Sequence, residues 1–337
     1  MAVGPLPAPG AGSRPLVANK AQRLAMLQAI EKERNSRVLA YVTADRQILP
    51  TQIASDVIPL FYEHLEKIGT TDRIDLFLYT RGGNTLTPNR LVHLIREYCK
   101  SFNVLVPFRA HSAGTTLALG ANEIVMGPLG ELGPTDPSVS NQFNPDGEAP
   151  KKDGKKPKVS ISVEDVTAYL LLVKEKAGLD TPETMAQALR ALTDQIHPLA
   201  LGNVHRQYQL IRTISRRLPS LHLDPDKEGS RIEKIVDLLT EKLFSHGYEI
   251  SRYEAKEIIG LPVTYASKTL EPLLLGVLGH YSKDIPIGAV NPNGNFVLDG
   301  GVIESSALTH SFVFEGLASV TKDGMNVEVK QQAWRIL

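Results

Sequence analysis

Two short turns carry groups able to do chemistry. The first is Thr80-Arg81-Gly82-Gly83-Asn84, which follows an apolar run at 73–79 (RIDLFLY). The second is Ala110-His111-Ser112-Ala113-Gly114, which follows the run at 103–108 and opens a short helix over 115–121. Glycine lets backbone approach a ligand closely and aim N–H groups at it. A serine on a sharp strand-to-helix turn exposes its hydroxyl, and the next N–H can join an oxyanion hole. The two turns therefore offer a nucleophile and two sets of donors. Gly83 and Ser112 are 29 residues apart, one strand-helix-strand unit. Both turns should lie outside the carboxyl ends of parallel strands, where open α/β sheets bind ligands. Either turn alone reads as an ordinary turn or helix cap; together, in this order and spacing, they point to function.

The elements that must position them follow from the hydrophobic pattern. A strand at 37–43 (RVLAYVT) precedes a helix from Thr51, with Ile53, Val57, Leu60, Phe61, Leu65 and Ile68 on one face and Gly69 at its end. The strand at 73–79 is followed by a helix with Thr87 as N-cap, Pro88 at its first position, and Leu91, Leu94, Ile95 and Tyr98 inward. Strands at 103–108 and 123–126 complete an alternation that predicts an α/β fold of repeated β-α units on a parallel sheet. Residues 139–158 are polar and include KKDGKKPK, which reads as a flexible insertion of solvated charge. Helices are expected at 162–177, 182–193, 198–217, 229–245 and 251–258. The stretch 284–337 mixes Gly and Asn with β-formers and holds some strands. The division is a flexible tail at 1–17, a main domain at 18–263 and a partly β C-terminal extension at 264–337.

Composition narrows the class. The chain has 337 residues, 42% hydrophobic and 22% charged, and 37 Lys+Arg balance 37 Asp+Glu. Zero net charge gives no global footprint for nucleic acid or anionic lipid, so no nucleic-acid partner is expected. The single cysteine, Cys99, cannot form an intrachain disulfide and suits a reducing, cytoplasmic setting; it reads as a packed helix residue. No run reaches the roughly 18 apolar residues of a membrane helix, and 270–278 is interrupted by Glu271, Pro272 and Gly276. The N-terminus lacks the pattern of a signal peptide. His93 reads as structural, and His64, His197, His205, His222, His280 and His310 show no metal-ligand spacing. Neither metal nor cofactor is expected. There is no P-loop, so any ATP-driven unfolding would need a separate ATPase or partner.

Three segments then carry a resemblance: YTRGGN at 79–84, FRAHSAGT at 108–115 and NEIVMGPLGELGPTDPS at 122–138. They resemble the Clp protease–crotonase fold, and within it the serine dehydrogenase (dehydratase) proteinase family, relatives of signal peptide peptidase. YEAKEIIGLPV at 253–263 is similar to a segment late in that fold. The resemblance implies a serine endopeptidase acting on polypeptides, assembled as a homo-oligomer. It implies Ser112 as nucleophile, with backbone N–H groups of Ala113 and the Gly82-Gly83 turn as oxyanion hole.

The base is the open point, because a hydroxyl needs one within hydrogen-bond reach. No histidine lies where the Clp proteolytic subunit carries its own. Signal-peptide-peptidase relatives use a Ser-Lys dyad, and Lys174 matches that place. At 100° per residue Lys174 also falls inside the stripe of Val163, Val166, Leu170, Val173 and Ala177, whereas Lys176 does not. Burial there would favour a neutral amine; the bland alternative is a lysine snorkelling to the rim. His246 is an alternative base, or equally a helix-terminus histidine near Gly247. His111 adjoins Ser112 and reads as a wall residue first and a base second. Asp136, in GPTDP, reads more as a turn residue than as pocket lining. Two rival functions share these motifs: a crotonase-like acyl-CoA enzyme and a non-catalytic docking platform.

Overall fold

The computed structural model describes residues 15–136, 138–139, 141–147, 156–243, 245–285, 292–321 and 324–337. In chain order, α1 (Pro15–Ala18) and α2 (Lys20–Arg34) precede β1 (Arg37–Thr43), α3 (Val57–Ile68), β2 (Thr71–Tyr79), α4 (Thr87–Arg96) and β3 (Cys99–Val106). Then come β4 (Arg109–Ala110), α5 (Ala113–Leu119), β5 (Glu123–Met126), β6 (Glu131–Leu132), β7 (Ser138–Val139) and β8 (Ile161–Ser162). A helical stretch follows: α6 (Val163–Leu171), α7 (Pro182–Gln195), α8 (Pro198–Arg217) and α9 (Pro225–Thr240). The last elements are β9 (Ile250–Ser251), β10 (Val263–Tyr265), α10 (Leu270–Asp284), β11 (Gly294–Ser305), β12 (Thr309–Thr321) and β13 (Gly324–Ile336).

The main sheet has eight strands in the order β10-β5-β3-β2-β1-β11-β12-β13. The first five are parallel, as the β-α alternation requires, and β11 to β13 add an antiparallel half. Side chains alternate between the two faces. Leu39, Tyr41, Leu76 and Leu78 pack with residues of α3, α4, α5, α8 and α9. Val38, Ala40, Val42, Phe77 and Tyr79 pack with residues of α2 and α10. Burial on both faces explains why these strands read as unbroken apolar runs.

The boundary expected after residue 263 does not interrupt the sheet, since β10 straddles it beside β5 and β11 pairs with β1. A fully buried ionic knot also joins the two ends of the chain. Arg23 on α2 pairs with Asp284 on α10 and Glu304 on β11, and Tyr281 and Thr309 donate to Glu304. Of the expected tail, residues 1–14 lie outside the described residues and the rest enters α1. Of the insertion, residues 140 and 148–155 lie outside them, while its described flanks form a bridge at Asp146 and Lys158. α3 begins at Val57 rather than Thr51, because Ile53 bridges to Gly83 instead of entering a helix. Thr87 is the first residue of α4 rather than its cap; Asn84 Oδ1 accepts from the N–H groups of Leu86 and Thr87. Cys99 opens β3 rather than lying on a helix, and burial pushes its thiol up to about 11.

Candidate active site

The loops after β1, β2 and β3 leave the same edge of the sheet. Backbone hydrogen bonds clamp the two chemical turns together there. Thr80 N–H donates to Arg109 O at 2.9 Å, and His111 N–H donates to Thr80 O at 3.1 Å. From the other side, Ile53 N–H donates to Gly82 O and Asn84 N–H to Ile53 O, both at 2.8 Å. Only glycine fits this turn. Gly82 and Gly83 have φ of +113° and +147°. A Cβ on Gly83 would lie 2.2 Å from Ile53 O, and one on Gly82 would lie 2.7 Å from Ser112 Cβ.

Ser112 stands at the N-terminus of α5 with φ +51° and ψ −112°. That conformation costs a β-carbon residue about 1–3 kcal/mol and is held by its surroundings. Its side chain makes no capping bond, so the hydroxyl is not committed to the helix. Gly82 N–H donates to Thr80 Oγ1 at 3.0 Å and is therefore spent inside its own turn. Gly83 N–H and Ala113 N–H have no acceptor among the described residues. Gly83 lies between the two bonds of the bridge, so its own N–H points away from Ile53. Ala113 is in the first turn of a helix, where N–H groups have no intrahelical partner.

A cavity of about 590 Å³ opens beside the turns, and its wall includes Gly82, Gly83, Ser112, Asp136 and His246. His246 Nδ1 is 3.0 Å from Asp136 Oδ1; Asp136 is buried and His246 half-exposed. These residues come from segments 110 positions apart in sequence. A small second sheet, β4-β6-β9, collects them. β4 leads into Ser112, β6 leads into Asp136, and His246 precedes β9. Thr135 N–H donates to Leu239 O and Gly133 N–H to Thr115 Oγ1, each at 3.0 Å, which fixes the loop carrying Asp136. Asp136 is thus wall rather than turn residue. The missed signal was positional: its loop follows a strand of the same edge.

The rest of the wall is charged and tied down. Asp45 accepts from Arg81 and Arg109, each at 2.9 Å, and from the Tyr79 hydroxyl at 3.0 Å. Burial alone would raise its pKa, but these three donors together hold it below the ordinary carboxylate range. Arg109 also reaches Glu131 at 2.7 Å. His111 is not part of the wall. Its Nε2 lies 3.2 Å from Glu131 without hydrogen-bond geometry, and burial lowers the imidazole pKa.

Lys174 departs from expectation. It is exposed and outside the cavity wall. α6 ends in a π-helical turn at Leu172–Lys176. The phase is not what exposes it: Leu171 and Leu172 are exposed as well, so among the described residues this end of the helix is left uncovered after Val173 and an inward phase buries nothing there.

Sequence comparison adds relatives. Two uncharacterised proteins of Methanocaldococcus jannaschii are similar. One is 31% identical over 129 residues, covering 35% of this chain and 42% of that protein. The other is 26% identical over 254 residues, covering 72% of this chain and 73% of that protein. Among solved structures, the membrane-bound stomatin-specific protease 1510-N is similar. A lysine-to-alanine mutant bound to a substrate peptide is 15% identical, covers 68% of this chain and 76% of its own, and superposes with a TM-score of 0.36. A serine-to-alanine mutant is 16% identical with coverages of 68% and 81% and the same TM-score of 0.36. Residues 14–197, more than half of the chain, match one family over their whole length. The protein belongs to the ClpP-like SDH-type serine proteinase family.

Proposed function

We propose that the chain is a serine peptidase that hydrolyses polypeptides through an acyl-enzyme, with Ser112 as nucleophile, His246 as base and Asp136 as the carboxylate that orients it. One observation carries this reading: Ser112, His246 and Asp136 share one cavity wall, with His246 Nδ1 bonded to Asp136. Bonding at Nδ1 selects the tautomer whose lone pair is on Nε2. Nε2 takes the Ser112 proton as Oγ attacks the peptide carbonyl. The N–H groups of Gly83 and Ala113 receive the oxyanion. The imidazolium then returns its proton to the leaving amine, and water, activated by the same nitrogen, releases the acyl group. This assigns to His246 the role that Lys174 would hold in a Ser-Lys dyad; His246 is in the cavity wall and Lys174 is not, which supports the change. It also reduces Gly82 to a steric role, since its N–H is already bonded.

A fluorophosphonate probe tests the scheme. The native chain should label at Ser112, and Ser112→Ala should not. His246→Ala should slow labelling at least 1,000-fold and Asp136→Asn at least 100-fold, in line with catalytic groups that act as a unit. Lys174→Ala should stay within threefold. Loss of labelling in Lys174→Ala with retention in His246→Ala would move the base to Lys174. A folded chain that never labels would favour the docking-platform alternative.

A further inference from the structure

The wall of the Ser112 cavity also contains Arg46, in the loop between β1 and α3. Arg46 is 6% exposed. Its guanidinium is held from one side by backbone carbonyls: Nε donates to Ile48 O at 2.9 Å and to Leu49 O at 3.0 Å, and Nη1 donates to Asp299 O at 3.2 Å. Leu49 adopts φ +56°, which wraps the loop around the guanidinium. The Phe314 ring lies 5.9 Å from Cζ. These acceptors are neutral. Nη2 is buried and has no hydrogen-bond partner among the described residues.

An unpartnered guanidinium nitrogen is a costly thing to bury, because an unsatisfied charged donor forfeits its hydration. Burial accordingly draws the Arg46 pKa down to about 10, against the opposing pull of Asp299. The other arginine of the wall has its anion: Arg81 is paired with Asp45. Arg46 differs in being gripped by carbonyls while part of its fork stays unmatched. With Nε and Nη1 already bonded to carbonyls, Nη2 is the nitrogen left to pair with an anion, and a carboxylate is the anion that guanidinium N–H groups match best.

We propose that Arg46 is a specificity-determining residue that receives a carboxylate of the bound peptide, so that the cavity selects peptides by that group. The occupant rests on the peptidase reading above. The carboxylate comes either from an Asp or Glu side chain or from the peptide's own C-terminus, and both present the same two oxygens. A purely structural Arg46 would pin residues 46–49 and give no preference between charged and neutral peptides.

Binding to the full-length Ser112→Ala chain, which cannot turn over, separates these outcomes. The probes are fluorescein-labelled alanine hexapeptides, amidated at the C-terminus, with one Glu or one Gln walked through the positions. A second arm uses the all-alanine hexapeptide as free acid or amide. By fluorescence anisotropy at low salt, at least one Glu peptide, or the free acid, should bind ten times more tightly than its neutral counterpart. The arm that shows the effect identifies the source of the carboxylate. Adding Arg46→Gln should bring the ratio to about one, while Arg46→Lys should keep part of it. Equal affinities of charged and neutral peptides in both arms overturn the proposal, whether or not the Arg46 variants fold. A charge preference that survives Arg46→Gln also overturns it. A preference that depends on Arg46, with no hydrolysis of the same peptides by the native chain, supports the subsite and counts against the peptidase reading alone.

Discussion

Acid should destabilise this protein through histidines whose pKa burial lowers, and His64 is the one whose share can be worked out. His64 on α3 is wholly buried, with Nδ1 2.9 Å from Ser305 Oγ and Nε2 3.1 Å from His310 Nδ1. His310 continues to Glu63 at 3.3 Å. Burial first, and then repulsion from a protonated His310, push the His64 pKa down to about 3 from an ordinary 6.5. A group whose folded pKa is depressed contributes stability that is present above its unfolded pKa and lost as pH falls towards the folded one. The window is therefore pH 6.5 to 3, where the unfolded chain takes a proton that the folded chain refuses. Linkage over those two values gives a loss of about 2 kcal/mol at pH 5 and about 3 kcal/mol at pH 4, relative to pH 8. Urea unfolding at pH 8, 6, 5 and 4 would measure it, with His64→Gln as the comparison. Gln keeps a polar end for His310 but cannot titrate. The variant will start lower at pH 8, from lost packing, so the readout is the slope rather than the level. Its fall between pH 8 and pH 5 should be smaller than the native chain's by about 2 kcal/mol. Parallel curves for the two proteins would refute the reasoning and assign acid sensitivity to other groups, the carboxylates or His111, His222 and His310, whose pKa burial also lowers.

Other substitutions follow from the same physics. Ser112→Gly should raise stability by about 1 kcal/mol while abolishing probe labelling, because relief of the strained φ outweighs the extra freedom of the unfolded glycine; a lower thermal midpoint would argue that Ser112 is not strained. Gly83→Ala places a Cβ 2.2 Å from Ile53 O and must displace the turn. Its labelling rate should drop about 100-fold, as expected when an oxyanion donor shifts, and near-native labelling would remove Gly83 from that role. Glu304→Gln uncouples Arg23 from one of its buried carboxylates and should cost about 3 kcal/mol in urea unfolding. Lys100→Ala, which breaks an exposed pair with Asp72 at 2.7 Å, should leave the midpoint unchanged.

Local pattern made a large part of this molecule legible. The alternation of apolar runs and amphipathic segments specified parallel β-α units, because a strand buried on both faces and a helix buried on one differ in period. The two chemical turns were visible for a related reason: a glycine pair and a serine, each ordinary by itself, follow strands one strand-helix-strand unit apart and so fall on one sheet edge. Even α8 was found at its observed limits, with Pro198 at its start. Misplaced elements were those that long-range contacts override. Ile53 has a helical spacing but is captured by the Gly83 bridge, and Lys174 has an inward phase at an end of its helix that the described residues leave uncovered.

The sequence by itself determined the four parallel strands β1, β2, β3 and β5 and the glycine and serine turns at their carboxyl edge; that β10 and β11 to β13 join the same sheet came from the tertiary structure. Only the tertiary structure decided which carboxylate and which imidazole join those turns. Asp136 and His246 are joined through the pairing of β6 with β9, and Arg46 is held in the wall by a carbonyl of β11. Periodicity reports which face of an element is buried, because burial repeats every turn or every second residue. It carries no information on which distant segment will cover that face, since that choice is made by packing among parts of the chain that are remote in sequence.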